Sequence, residues 1–360
     1  MRKNARFAIV TLLVAAPVSA DTLIVGNKYE HTVSFVDLLT GSEVARRETG
    51  RAPHEIAVSP DGKTAVLVSY REQGFTGNSL TIFDVGTATK VGTIDLGEHR
   101  GPHGLKWIAG TNKVVATTEV SEEVVIVDIS KREVVGAIST GARGSHMVAL
   151  SPDLSRAFVA NIGSGSFSVL DLASGKEIAE IASGAGTEGI TVSPDGSEIW
   201  VGANQDKTVT IFDSVTLKPK ARIDLQSSPI RVEFSPDGKH VAVSEFDQNR
   251  VAIFDSAGRA RVATIDLGAL NLEAPVTLLF APDGSRLWAA ATHSATIVEI
   301  DTNGWDIRRI IGVGEGSDGI AYSPETVNVR SDQTAASRCT GGYLPFARQS
   351  LSALASHLIA

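Results

Sequence analysis

Cysteine is nearly absent: Cys339 is the single one in 360 residues. An intramolecular disulfide is therefore impossible, and no CxxC or CxxCH motif is present to hold a cysteine-rich zinc site or a c-type haem. A lone thiol in an exported chain is either unpaired or an intermolecular link. Basic residues are outnumbered, 33 Lys and Arg against 41 Asp and Glu, and they form no cluster. Phosphate-backbone binding needs many cationic contacts, so nucleic acid is not an expected partner. The GxSxG elbow, HExxH and the P-loop are missing too, which removes three common routes to hydrolysis and nucleotide binding. After residue 20 no stretch is apolar enough to span a bilayer, which takes roughly 20 residues.

What is present begins with a leader. Arg2, Lys3 and Arg6 precede the apolar run Phe7–Val18, and Val18-Ser19-Ala20 offers a small-residue cleavage site. Residues 1–20 are expected to be a secretory signal peptide, with a periplasmic or secreted mature chain starting near Asp21. Its net charge falls from −8 to −11, because three basic residues leave and no acid does.

The remainder repeats itself. Ser-Pro-Asp turns start at Ser59, Ser151, Ser193 and Ser235, with Ala281-Pro282-Asp283-Gly284 and Ser323-Pro324-Glu325 following. Their first residues are 92, 42, 42, 46 and 42 apart, so the long step hides a copy, found at Gly104–Gly110 with its turn rewritten. Seven copies of about 44 residues, each with four short β segments, predict an all-β seven-bladed β-propeller with four-stranded antiparallel blades. Third strands such as Val124-Val125-Ile126-Val127 are almost continuously apolar, as blades covered on both faces require. The mature chain opens with a second and a third strand, Thr22–Asn27 and Thr32–Asp37, and the matching first strand appears only at Gly319–Ser323. One blade should therefore be closed by strands from both termini, which removes two sheet edges. Residues 21–325 form the propeller in this reading. Residues 326–360 are a tail, with Leu351, Leu354 and Leu358 on one face of a possible short helix over 348–360.

Ala160-Asn161 and Ala203-Asn204 at strand ends, Val209–Asp213 and Val251–Asp255 with the pattern Val-x-x-Phe-Asp, and SPDG between blades resemble the YVTN-type β-propeller repeats of exported bacterial proteins. The likeness spans roughly 21–325. It implies the fold and leaves function open, because that family hosts many roles.

A repeat supplies its own control: what recurs in every blade is scaffold, and what breaks the pattern marks a site. Asp37, Asp84, Asp128, Asp171, Asp213, Asp255 and Asp301 all end third strands and are expected to cap turns. Five residues before each turn the pattern breaks, reading His54, His103, His146, Glu188, Ile230, Val276 and Asp318 round the ring. Innermost strands line the channel, so these residues should meet at its mouth. Three imidazoles and two carboxylates suit a divalent metal, zinc or another first-row ion. The alternative is that each histidine bonds a carbonyl of the next blade.

Second-strand ends should reach the same face and offer Asn27, Tyr70, Glu119, Asn161, Asn204, Glu245 and His293, with Arg71 and Arg231 close by. Metal-bound water with Glu119 or Glu245 as general base, and Arg231 or Arg71 on an anionic substrate, would make a hydrolase or lyase site for a small anionic or lactone-like molecule. Tyr70, Arg71, Asn27, Asn161, Asn204 and His293 would bind the substrate. Two other roles remain open. Some exported seven-bladed propellers resembling this one serve beside periplasmic redox enzymes, including amine dehydrogenases, and this chain could be such a docking subunit. It could also be a surface-associated interaction scaffold. Ring closure makes a monomer the expected state.

Overall fold

Alternation decides where each strand's side chains go, because successive residues point to opposite faces. In the strand Thr22–Asn27, Leu23 and Val25 enter one apolar layer while Ile24 enters the layer on the other face. The computed structural model describes residues 20–328. Among them, 28 strands form seven four-stranded sheets. All strand pairs inside a blade are antiparallel, and seven apolar layers lie between neighbouring blades.

We number the blades I to VII. Blade I joins Ser317–Ser323 to Thr22–Asn27, Thr32–Asp37 and Ser42–Glu48, so both termini close the ring as expected. Thr22 pairs with Ser323 and Val25 with Ile320. Thr22 Oγ1 donates to the Glu325 carbonyl at 2.7 Å, and Tyr322 donates to Asp21 Oδ2 at 2.7 Å. Blades II to VII begin at Pro53, Pro102, Ser145, Thr187, Pro229 and Pro275, in chain order. Each blade's first strand neighbours the first strands of the adjacent blades, which puts the seven first strands around the channel.

The recurring aspartates are scaffold. In every blade the third-strand aspartate accepts a backbone N–H two or three residues on, as in Thr40 to Asp37 and Thr216 to Asp213. Every first strand also carries a β-bulge at the same place, for example between Pro53 and Ile56, where two residues, His54 and Glu55, face one, Val68. Bulges re-aim side chains. Here they turn two consecutive residues of each first strand, such as His54 and Glu55, away from strict alternation.

The second residue of the bulge pair is glycine in three blades, where the neighbouring first strand lies against it. A Cβ on Gly319 would sit 1.9 Å from the His54 carbonyl oxygen, and one on Gly104 would sit 2.7 Å from that of His146. Gly319→Ala should therefore cost about 1–3 kcal/mol by overpacking, measured as a lower denaturation midpoint. A neutral result would mean that the closing blade yields at this seam.

The expected signal peptide lies outside the described residues except for Ala20, and the tail does so beyond Asn328. Among the described residues no helix is long and apolar enough to cross a membrane.

Candidate functional site

Four first strands bring His54, His103, His146 and Glu188 to one mouth of the channel, and the closing blade adds Asp318. The His54 and His103 rings lie 4.2 Å apart edge to face, and those of His103 and His146 stack at 3.7 Å. Tyr70 stacks on His54 at 5.1 Å and meets His103 edge-on at 4.6 Å. His54 Nδ1 is 2.8 Å from Asp318 Oδ2, close enough for an ion pair although not aligned as a hydrogen bond. His146 Nδ1 is 2.7 Å from Glu119 Oε2, and its Nε2 is 3.6 Å from Glu188. Tyr70 donates to Glu119 at 2.6 Å and Arg71 pairs with it at 3.2 Å. Asn204 donates to Glu188.

This environment splits three chemically identical imidazoles. Burial pushes His54 down, against the pull of Asp318. Burial pushes His103 well below the ordinary imidazole value, reinforced by His146, His54, Arg231 and Lys28. Burial would lower His146 too, but its bonds to Glu119 and Glu188 prevail and raise it to about 9. The carboxylates answer in kind: although burial works against the charged form, Glu119 is held at about 2 by His146, Tyr70 and Arg71, and Asp318 at about 2 chiefly by His54. A neutral His54 beside Asp318 thus faces an imidazolium–carboxylate pair, with His103 between them.

His103 is the anomaly. Both of its ring nitrogens are buried and neither has a hydrogen-bond partner among the described residues. A buried polar atom left in that state costs about 1–3 kcal/mol, so it calls for an explanation in terms of function.

Not every residue expected here arrives. Strand registers pair Asn27 with Ser317, Asn161 with Ser145 and Glu245 with Pro229, which places these three one residue earlier than Tyr70, Glu119 and Asn204. The opposite parity sends them into their own blades. Asn27 donates to Thr32 and Ser34, Asn161 to Ser166 and Ser168, and Glu245 is clamped by Arg261. His293 is exposed, with Phe246 at 6.0 Å as its ring contact. Arg231 crosses the channel beneath the histidines, donating to Glu55 and, at 3.1 Å, to Thr277 Oγ1, with Met147 Sδ at 2.9 Å. It is thus held inside the channel by Glu55.

Aligned by register, the second-strand ring is Lys28, Tyr70, Glu119, Ile162, Asn204, Phe246 and Thr292. Lys28, whose ammonium lies 5.6 Å from the Tyr70 ring, was hidden by aligning on residue type instead of strand parity. Glu55 was hidden by the bulge. The mouth is two-sided: Lys28, Asp318, His54, Tyr70, His103, Glu119, His146 and Glu188 occupy one arc, while Ile230, Phe246 and Val276 make the other apolar.

For a metal, the chemistry of the donors fits. His54 has one ring nitrogen beside Asp318, the arrangement that orients metal-binding imidazoles, and His103 has both nitrogens spare, whereas His146 has a carboxylate at each nitrogen and would have to lose its proton to bind an ion. The present geometry does not converge: no group of three or more His, Cys, Asp or Glu among the described residues is disposed to hold an ion.

The folded state gains from binding a proton on His146, so that contribution is complete below its unfolded value of 6.5 and declines as pH rises through about 9. His146→Gln should flatten the alkaline limb of the stability–pH curve, measured by chemical denaturation. An unchanged slope would contradict the imidazolium assignment.

A family model described as a seven-bladed β-propeller lactonase matches residues 133–309, just under half of the chain. That segment contains His146, Glu188, Asn204 and Arg231, but not His54, Tyr70, His103, Glu119 or Asp318. No curated protein matches the chain. Among solved structures, a Kuenenia stuttgartiensis hydrazine synthase chain is similar at TM-score 0.69 and 20% identity, over 83% of this chain and 100% of that one. A periplasmic gluconolactonase of Pseudomonas aeruginosa is similar at TM-score 0.70 and 16% identity, over 85% and 99%. The chain is thus a seven-bladed propeller related in fold to bacterial lactonase and other propeller proteins.

Proposed function

We propose that this chain is an exported hydrolase of small lactones, working at the histidine arc. The observation that carries the reading is His103, buried with two spare nitrogens between a neutral His54 beside ionised Asp318 and a cationic His146 beside ionised Glu119. The lactonase family match and the gluconolactonase likeness support the substrate class, and the leader supports a periplasmic or secreted location. The repeats' likeness to the YVTN type fits the same setting, and a closed ring favours a monomer.

In this reading His54 is the base. Asp318 at Nδ1 leaves Nε2 as the basic nitrogen, the logic by which a buried carboxylate orients a catalytic imidazole. His54 takes a proton from water as the water oxygen bonds to the lactone carbonyl carbon. The ring C–O bond then breaks, and the departing alkoxide takes that proton back. His146 and Lys28 supply positive charge for the carbonyl oxygen as it becomes anionic. Glu119, at about 2, is too weak a base for this work and acts by holding His146 protonated. In a metal-loaded alternative to this base mechanism, His54, His103, deprotonated His146 and Glu188 would hold a first-row divalent ion, which would polarise the carbonyl in place of the His146 cation.

The test is hydrolysis of gluconolactone and γ-butyrolactone by untagged protein, followed by proton release, with bound metal measured on the same sample. Rates above the spontaneous reaction support the reading, and none above it across the panel removes it. The second reading, a non-catalytic subunit beside a periplasmic redox enzyme, draws on the full-length likeness to a chain of hydrazine synthase. Recovery of one stoichiometric partner from periplasm by an inactive protein would favour it.

A further inference from the structure

At the far end of the channel the blades are joined by their turns. In four of them the proline of one turn packs against the positive-φ glycine of the next: Pro324 on Gly62, Pro152 on Gly196, Pro194 on Gly238 and Pro236 on Gly284, where an added Cβ would lie 2.7 to 3.9 Å away. Between blades II and III this contact is broken. The turn of blade III is Ile108–Lys113, equal in length to the others but without their Ser-Pro-Asp-Gly, and its positive-φ glycine, Gly110, sits one place earlier than Gly62 does. A Cβ on Gly110 would meet nothing within 4 Å. Pro60 and Asp61 instead face Gly110, Thr111 and Asn112 across a cavity of about 650 Å³.

We propose that this breach is a binding site for a neutral carbohydrate of one or two sugar rings. Its size falls in the usual range for small-ligand sites. Ile82 and Ile129 are buried in its wall, and Trp107 and Val91 complete an apolar surface. The indole is fixed in place because Trp107 Nε1 donates to the Thr111 carbonyl at 2.7 Å. Polar groups are interleaved with that surface. Asp61 spends Oδ1 on its own turn, accepting from Ser59 and Lys63, and Oδ2 is left over. Arg132 spends one N–H on the Val91 carbonyl and has others to give. Asn112 adds an amide. One carboxylate and one guanidinium balance, which disfavours a strongly charged ligand. An indole beside aliphatic groups suits the C–H face of a sugar, and paired donors and acceptors suit its hydroxyl edge. The cavity lies at the opposite end of the first strands from the histidines, so it is independent of the lactone site.

The experiment uses the intact protein with cellobiose, maltose, lactose and chitobiose, by titration calorimetry and tryptophan fluorescence. At least one is expected to bind with a Kd of roughly millimolar or tighter. Trp107→Ala should weaken it about tenfold or more. The quadruple variant Ile108→Ser, Ala109→Pro, Gly110→Asp, Thr111→Gly, which restores the repeat's own turn, should abolish it while keeping the native circular dichroism spectrum. Absence of binding across the panel overturns the proposal. So does binding that survives both variants, or a preference for an aromatic acid or a peptide over every sugar. Should the quadruple variant misfold, Trp107→Ala and Asn112→Ala decide by themselves.

Discussion

A chain starting at Thr40 will fail to form a folded monomer. The lost strands carry Leu23, Ile24, Val25, Val33, Phe35 and Val36, all fully buried. At about 1.5–3 kcal/mol for each such side chain, their combined burial matches or exceeds the ~5–15 kcal/mol by which whole domains are stable. The loss is also topological. Ser317–Ser323 would keep no hydrogen-bonded partner in its blade, and two apolar layers would open. Size-exclusion chromatography and thermal melting of the truncated protein should show aggregate or oligomer and no cooperative transition. A monomer with a native spectrum and a sharp melt would mean that six blades close without the seventh.

Replacing His103 by leucine will separate catalysis from stability in the opposite sense. Buried and without partners, the imidazole contributes no hydrogen bond to the folded state. Exchanging it for an apolar side chain of similar size should leave the denaturation midpoint unchanged or raised, since about 1–3 kcal/mol of unpaired desolvation is relieved. Lactone hydrolysis should nevertheless fall about 100-fold or more, the range expected when a positioned polar group is lost from a site. Stable protein with full activity would show that the spare nitrogens of His103 do not contact the substrate. A loss of several kcal/mol in unfolding free energy would show that its stacking on His146 and against Tyr70 is structural, and the arc would then be packing.

The candidate site was legible to the extent that position in the repeat controls geometry. His54, His103, His146, Glu188 and Asp318 were found because each sits five residues before a turn, and every turn does the same thing. Asn27, Asn161 and Glu245 were misplaced because side-chain parity depends on strand register, and two neighbouring residues differ in parity while looking alike as strand ends. Lys28 was missed for the same reason. Glu55 and Arg231 face the channel only because a bulge suspends alternation, and no residue type announces a bulge. The splitting of the three imidazoles was equally out of reach, since His54, His103 and His146 have the same chemistry until Asp318, Glu119 and Glu188 are set beside two of them.

Spacing by itself determined the propeller, its blade number, its closure by both ends and the capping work of the seven aspartates, because each depends on residues near in sequence and repeated. Tertiary structure alone decided which imidazole carries charge, which acid is tied to which cation, and where the ring of turns gives way between Pro60 and Thr111. Those depend on side chains that meet only when distant blades are brought round one axis, and on burial, which has no local signature in the chain.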